Sequence, residues 1–185
     1  MKKKLFVGFI LYTLFISIFL LNSNEEFILN KIKLPQGFHI HVYANNIKQP
    51  RAMALSSNGV LYVSSKAGII YALLDNDNNK ISDKQYIITY NLSMPYGLDF
   101  YKGDLYVSEN DKIIVFRDIE KKLQNPPNPE VILSGVIPDD KWHGGRYIKL
   151  GPDNKLYINR GMPCNVCKKE NEIYGTISRI NPDGR

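Results

Sequence analysis

From residue 32 onward the apolar and polar positions alternate with a period of two, the spacing of half-buried β-strands rather than of helices. Gly37-Phe38-His39-Ile40-His41-Val42-Tyr43 alternates in this way and predicts a strand carrying His39 and His41 on its polar face. Ala52-Met53-Ala54-Leu55, Gly97-Leu98-Asp99-Phe100 and Arg146-Tyr147-Ile148-Lys149-Leu150 predict further short strands. Each of these three is followed by a turn and then by a strand beginning Leu-Tyr.

The Leu-Tyr strands form a repeat. Asn58-Gly59-Val60-Leu61-Tyr62-Val63 returns as Lys102-Gly103-Asp104-Leu105-Tyr106-Val107 and again as Asp153-Asn154-Lys155-Leu156-Tyr157-Ile158, with the tyrosines 44 and 51 residues apart. A third apolar stretch follows each copy: Gly68–Leu73, Lys112–Phe116 and Gly175–Ile180. Tyr86–Tyr90 and Glu130–Leu133 add a fourth strand to the first two copies. Four short strands per repeat of this length predict an all-β chain, a β-propeller of four-stranded blades. The absence of helical periods between repeats argues against βαβ units. Residues 32–185 supply about three blades where propellers close with about four to eight. The expectation is therefore a partial propeller: a fragment, a truncated gene product, or a part that needs further blades or a partner to close it.

The N-terminus has another character. Lys2-Lys3-Lys4 precedes an uncharged run from Leu5 to Leu21, followed by Asn22-Ser23-Asn24-Glu25-Glu26. This predicts a hydrophobic helix over residues 1–24 acting as a signal peptide or a membrane anchor. Positive charge before the run holds that end in the cytoplasm, so the body is expected to be exported, to the periplasm or to the periplasmic or extracellular side of the membrane. The leader changes the reading of charge as well. Of the net +6, three charges belong to these lysines, and the remaining basic residues are scattered without a stripe or recognition helix. Nucleic acid is not an expected partner. Hydrophobic content of 44% and charged content of 23% are those of a globular chain.

Candidate chemistry sits in the turns. Trp142-His143-Gly144-Gly145-Arg146 places a histidine, the side chain suited to proton exchange near neutral pH, beside glycines that let a ligand approach. Arg146 reads as a residue that stabilises this turn. Asp75-Asn76-Asp77-Asn78-Asn79 resembles the opening of a calcium loop, but Lys80 and Tyr86 stand where that loop needs glycine and glutamate, so a turn is expected. His39 and His41 lack a visible third metal ligand. Cys164 and Cys167 are the only cysteines. Lys168 after the second excludes a c-type haem motif, and a small disulfide is the expected state of an exported pair, with free thiols the alternative.

With the repeat, the histidine turn and the cysteine loop together, the sequence resembles the PQQ-dependent sugar dehydrogenases, the glucose/sorbosone dehydrogenase family. The matching elements are Leu34-Pro35-Gln36-Gly37-Phe38, Pro50-Arg51-Ala52-Met53-Ala54, Pro95-Tyr96-Gly97-Leu98, Trp142–Arg146 with Gly151-Pro152-Asp153, and Gly161-Met162-Pro163-Cys164-Asn165-Val166-Cys167. The cysteine loop is similar to that of the sorbosone-dehydrogenase-like branch. The resemblance implies a six-bladed propeller and a quinoprotein oxidoreductase using pyrroloquinoline quinone and calcium. It implies an aldose or sorbosone-like sugar as substrate, with His143 as the catalytic base and Trp142 at the substrate. Trp142 and Met162 occupy positions where the glucose-oxidising members carry aspartates. The family's calcium ligands and most of its quinone-contacting basic residues come from later blades, which this chain does not contain. Two other readings stand beside this one: a non-catalytic propeller that binds a ligand or protein, and a lactonase-type hydrolase holding a metal with residues such as Asp99, Glu109 and Asn110.

Overall fold

The computed structural model describes residues 29–139, 142–168 and 171–185. The predicted leader over 1–24 lies outside these residues. Among the described residues no helix is long and apolar enough to cross a membrane. The chain divides into two units, one ending at Val42 and one running from Tyr43 to Arg185. In the first, residues 38–42 form no strand, contrary to the alternation read there. Phe38 is 67% exposed. Alternation makes a strand only where a neighbouring backbone completes the ladder, and among the described residues no strand pairs with this stretch.

Among its described residues the second unit has eleven strands: β1 (Pro50–Leu55), β2 (Leu61–Ser65), β3 (Ile69–Leu74), β4 (Lys84–Thr89), β5 (Leu98–Tyr101), β6 (Asp104–Ser108), β7 (Lys112–Phe116), β8 (Glu130–Ser134), β9 (Ile148–Leu150), β10 (Leu156–Arg160) and β11 (Thr176–Ile180). They form antiparallel sheets in the orders β1-β2-β3-β4, β5-β6-β7-β8 and β9-β10-β11. The chain is thus all-β and β-propeller-like, one sheet per repeat. The third sheet has three strands among the described residues, and a short 3-10 helix, Ile119–Lys122, follows β7. Tight turns close the hairpins. Lys102 and Gly103 both have positive φ, 50° and 93°, as the two-residue turn between β5 and β6 requires.

Alternation along each strand divides its side chains between two neighbouring sheets. From β2, Tyr62 packs with Leu98, Leu105 and Val107 of the second sheet, and its ring stacks on Phe100 at 5.8 Å. From β6, Tyr106 packs in the same way with Ile148, Leu156 and Ile158 of the third. In β7, Ile114 and Phe116 face the first of these clusters, while Ile113 and Val115 face the second. That two-sided burial is why Lys112–Phe116 reads as a continuous apolar run. Each large side chain fully buried here contributes about 1.5–3 kcal/mol.

A hydroxyl two positions after each of these tyrosines ties the sheets together. Ser64 Oγ accepts the Ala52 N–H at 3.1 Å and donates to the Tyr96 carbonyl at 2.7 Å, reaching from the first sheet to the approach of the second. Ser108 Oγ accepts the Gly97 N–H at 2.8 Å and donates to the Arg146 carbonyl, joining the second sheet to the approach of the third. Both serines are fully buried. Gly97 is needed beside the second tie, since a Cβ there would stand 2.6 Å from Ile148 N and 2.7 Å from the Arg146 carbonyl. Asp99 adds a further cross-sheet bond, accepting from Lys149 Nζ at 2.9 Å and from the Leu150 N–H.

Removing either serine hydroxyl strands buried partners. Ser64→Ala and Ser108→Ala should each lower stability by about 1–3 kcal/mol in urea unfolding. Ser57→Ala, in the exposed β1–β2 turn, should change it by less than about 0.5 kcal/mol. Equal midpoints for all three variants would show that the hydroxyls do not tie the sheets.

Candidate active site

The approach segments that these hydroxyls fix are the ones that carry the site. Arg51 begins the first sheet, Tyr96 precedes β5, and the His143 turn precedes β9. They meet in one cavity of about 480 Å³, joined by Lys66 from the β2–β3 turn, Met94, Trp142, Gly144, Gly145, Tyr147 and Asn159. His143 has the left-handed φ of 58°, and its carbonyl accepts from Arg146 Nη1 at 3.3 Å. Arg146 is 1% exposed, and its Nη2 donates to the Pro138 carbonyl at 3.4 Å. Arg146 therefore holds the turn, as the sequence suggested, from inside the fold.

Aromatic rings surround the histidine. Trp142 is 70% exposed and stacks on His143 with centroids 5.8 Å apart. Tyr96 and Tyr147 meet edge to face at 5.0 Å, and the Arg51 guanidinium lies over Tyr96, 5.7 Å from its centroid. The neighbouring Tyr96 is the chief cause that raises the Tyr147 phenol above its ordinary pKa. Asn159 Oδ1 accepts the Tyr147 N–H at 2.6 Å and fixes the end of the turn. Behind it, Arg160 is buried with Nη1 on Ser178 Oγ at 2.8 Å; burial, then the charge of Arg146, lowers its pKa.

Two of the residues singled out in the sequence, His143 and Trp142, thus share the cavity. Cys164 and Cys167 do not line it; they are joined as a disulfide, Cα atoms 6.0 Å apart, in the loop after β10. His39 and His41 belong to the stretch that ends at Val42. Asp99 and Glu109 are engaged elsewhere: Asp99 with Lys149 and Leu150, Glu109 with the Ser93 N–H and, at 3.3 Å, Lys112. Asn110 Nδ2 donates to Asp139. Among the described residues the group of acidic and metal-ligating side chains able to surround an ion is Asp75, Asp77 and Asp83, on the loop between β3 and β4. Asp75 accepts from the Asn79 and Lys80 N–H groups at 3.0 Å each.

Arg51 and Tyr96 fall in the Pro50–Ala54 and Pro95–Leu98 elements and Tyr147 in the strand after the His143 turn, but those elements, like Lys66 and Asn159, carry no chemistry that marks a site. Their signal lies in the repeat: Arg51, Tyr96 and Tyr147 precede or begin the first strands of successive sheets, and Asn159 occupies in β10 the place of Ser64 and Ser108.

Comparison with known proteins gives related matches. A family model described as TrAA12-like matches residues 32–181. An uncharacterized protein of Borreliella burgdorferi is 30% identical over 168 residues, covering 84% of this chain and 43% of its own length. The fold matches the holo form of the pyranose dehydrogenase PQQ domain from Coprinopsis cinerea with a TM-score of 0.69 at 15% identity, over 78% of this chain and 36% of that one. It matches a calcium structure of the Trichoderma reesei carbohydrate-active enzyme family AA12 at 0.70 and 17%, over 80% and 39%. It also matches the PQQ-bound aldose sugar dehydrogenase of Streptomyces coelicolor at 0.60 and 18%, over 78% and 48%. The chain therefore spans less than half the length of each of these relatives.

Gly145 is the point where the turn touches the aromatic wall. A Cβ there would stand 2.6 Å from the Tyr96 ring, whereas one at Gly161 would meet nothing within 4 Å. Gly145→Ala should cost about 1–3 kcal/mol by overpacking and alter the tyrosine near-ultraviolet circular dichroism. Gly161→Ala should leave both unchanged. An unaltered spectrum in Gly145→Ala would place Tyr96 elsewhere.

Proposed function

The chain belongs to the TrAA12-like family, and from that premise we propose that it forms the His143-bearing part of an exported quinoprotein dehydrogenase acting on an aldose or sorbosone-like sugar. The observation that carries the reading is the placement of His143 in a cavity assembled from all three sheets, walled by aromatic rings and open to solvent. The sugar class follows the relatives, whose names describe pyranose and aldose sugar dehydrogenases.

The residues present fit a flat cofactor ring. Gly144 and Gly145 offer a surface without side chains, and Tyr96 and Tyr147 offer aromatic walls beside it. These four would hold pyrroloquinoline quinone. When bound, the quinone supplies a two-electron acceptor. Calcium does not fit in the same way, because no carboxylate is among the described residues lining the cavity, and no step is assigned to it.

The chain's own groups then have separate tasks. An imidazole nitrogen of His143 accepts the proton of the substrate hydroxyl, for which it must come within about 2.6–3.2 Å of that oxygen. Arg146 acts through the backbone, holding the His143 carbonyl and with it the direction of the ring. Trp142 covers one side of the imidazole and limits its rotation. Among the described residues lining the cavity no carboxylate stands beside His143, and ring stacking and the fixed turn perform the orienting task that an acidic side chain performs in other histidine bases.

Three further parts of the proposal rest on the sequence. The loop with Cys164 and Cys167 supports the sorbosone-dehydrogenase-like branch. Lys2–Lys4 followed by the apolar run to Leu21 supports export. The last strand of the third sheet, where Ile177 is 74% exposed, supports a need for further blades or a partner to close the propeller.

A second reading, a propeller that binds without catalysis, is favoured by one departure from the family resemblance: Trp142 and Met162 occupy positions where the glucose-oxidising members carry aspartates. Loading with pyrroloquinoline quinone and calcium and following dye reduction over a panel of aldoses separates the two. On the first reading oxidation depends on quinone, and His143→Gln lowers kcat about 10²–10⁴-fold. Full activity in His143→Gln would remove the histidine from the chemistry, and quinone that binds without saturation would favour the binding module.

A further inference from the structure

We propose that Cys164 and Cys167 form a reversible dithiol–disulfide couple, a site at which a protein dithiol reduces this chain and a disulfide oxidant closes it again. The proposal does not rest on the quinone reading. It concerns the C-x-x-C loop, which lies outside the His143 cavity.

The bridge ties no two sheets to each other. Its cysteines are three positions apart, in the loop between β10 and β11. A ring that small removes from the unfolded chain only about two-fifths of the entropy that a ring of ~100 residues would remove. β10 is fixed without it, pairing with β9 on one side and β11 on the other, with Leu156 and Ile158 fully buried. Among the described residues no backbone hydrogen bond joins 161–168 to another segment. Opening the ring therefore frees that stretch, which begins two positions beyond the cavity residue Asn159, and leaves the sheets paired.

The ring is also open to attack. Cys167 is exposed, Cys164 is half-buried, and Val166 between them is 97% exposed. Thiol–disulfide exchange requires a thiolate to reach one sulfur, and access selects that of Cys167. The thiolate of the reductant bonds to Cys167 Sγ, the Cys164–Cys167 bond breaks, and Cys164 leaves as a thiolate that takes up a proton. The second thiolate of the reductant then attacks the reductant's own sulfur in the mixed disulfide. Cys167 departs with the electron pair and gains the second proton. Two electrons and two protons pass from the dithiol, which ends as a disulfide. Lys168 follows Cys167 directly, and no acidic residue stands between Gly161 and Lys168. The departing Cys167 thiolate thus meets positive charge, which favours the ionised sulfur.

The chain is incubated without denaturant in millimolar reduced glutathione at neutral pH, quenched with iodoacetamide and weighed by mass spectrometry, while far-ultraviolet circular dichroism follows the sheets. Expected are two alkylated cysteines, an unchanged dichroism, and closure of the bridge again in oxidised glutathione. Structural bridges of secreted proteins resist that thiol pool. A bridge that stays closed until urea unfolds the sheets, or one whose opening collapses the dichroism, would overturn the proposal. The double variant Cys164→Ser with Cys167→Ser should keep the dichroism, and its loss would likewise show that the fold needs the bridge. A thioredoxin lacking its second cysteine should be trapped on Cys167, and a trap on Cys164 would overturn the choice of sulfur. In Cys164→Ser, the further change Lys168→Gln should slow alkylation of Cys167 about two- to fivefold at low salt. Equal rates would remove Lys168 from the couple.

Discussion

A buried serine hydroxyl that spans two sheets is the interaction on which this architecture and its cavity depend. Apolar packing alone would let neighbouring sheets slide, because dispersion and hydrophobic contact have little direction. Ser64 and Ser108 remove that freedom by engaging an N–H of their own sheet's approach and the carbonyl of the next. The carbonyls they hold belong to Tyr96 and Arg146. One supplies the aromatic wall of the cavity, and the other anchors the His143 turn. In β10 the same place is taken by Asn159, which binds the Tyr147 N–H and lines the cavity itself. The repeat thus converts a structural position into a site position as it passes from sheet to sheet.

The electrostatic character of the site follows from that geometry. Arg146 and Arg160 are buried, Arg146 on the His143 carbonyl, and Arg51 and Lys66 line the cavity from the first sheet. Two contacts give the histidine a defined orientation: its peptide unit is held by Arg146 and its ring by Trp142.

Much of this was legible in the chain. The Leu-Tyr repeat gave the number and order of the sheets, because a strand buried on both faces must be apolar throughout and a hairpin must turn at residues that accept positive φ. The His143 turn stood out because its residue types are chemically unusual together. The stretch from Gly37 to Tyr43 misled for the opposite reason: its pattern is that of a strand, but pairing is a property of two segments, and only one of them is in the pattern. The third sheet has three strands among the described residues, the number its three apolar stretches predict.

What the sequence determined by itself was therefore local and periodic: strand, turn, strand, with a histidine among glycines at the start of the third repeat. Which residues would join that histidine was decided only by tertiary structure. Arg51, Lys66 and Tyr96 lie between 47 and 92 positions before it in the chain and share no motif with it. They meet it because successive sheets turn their corresponding loops to one end, and because two serine hydroxyls fix how far each sheet is rotated on the last. Periodicity encodes the sheets, whereas the cavity arises from the angle between them, and that angle is set by contacts between residues far apart in sequence.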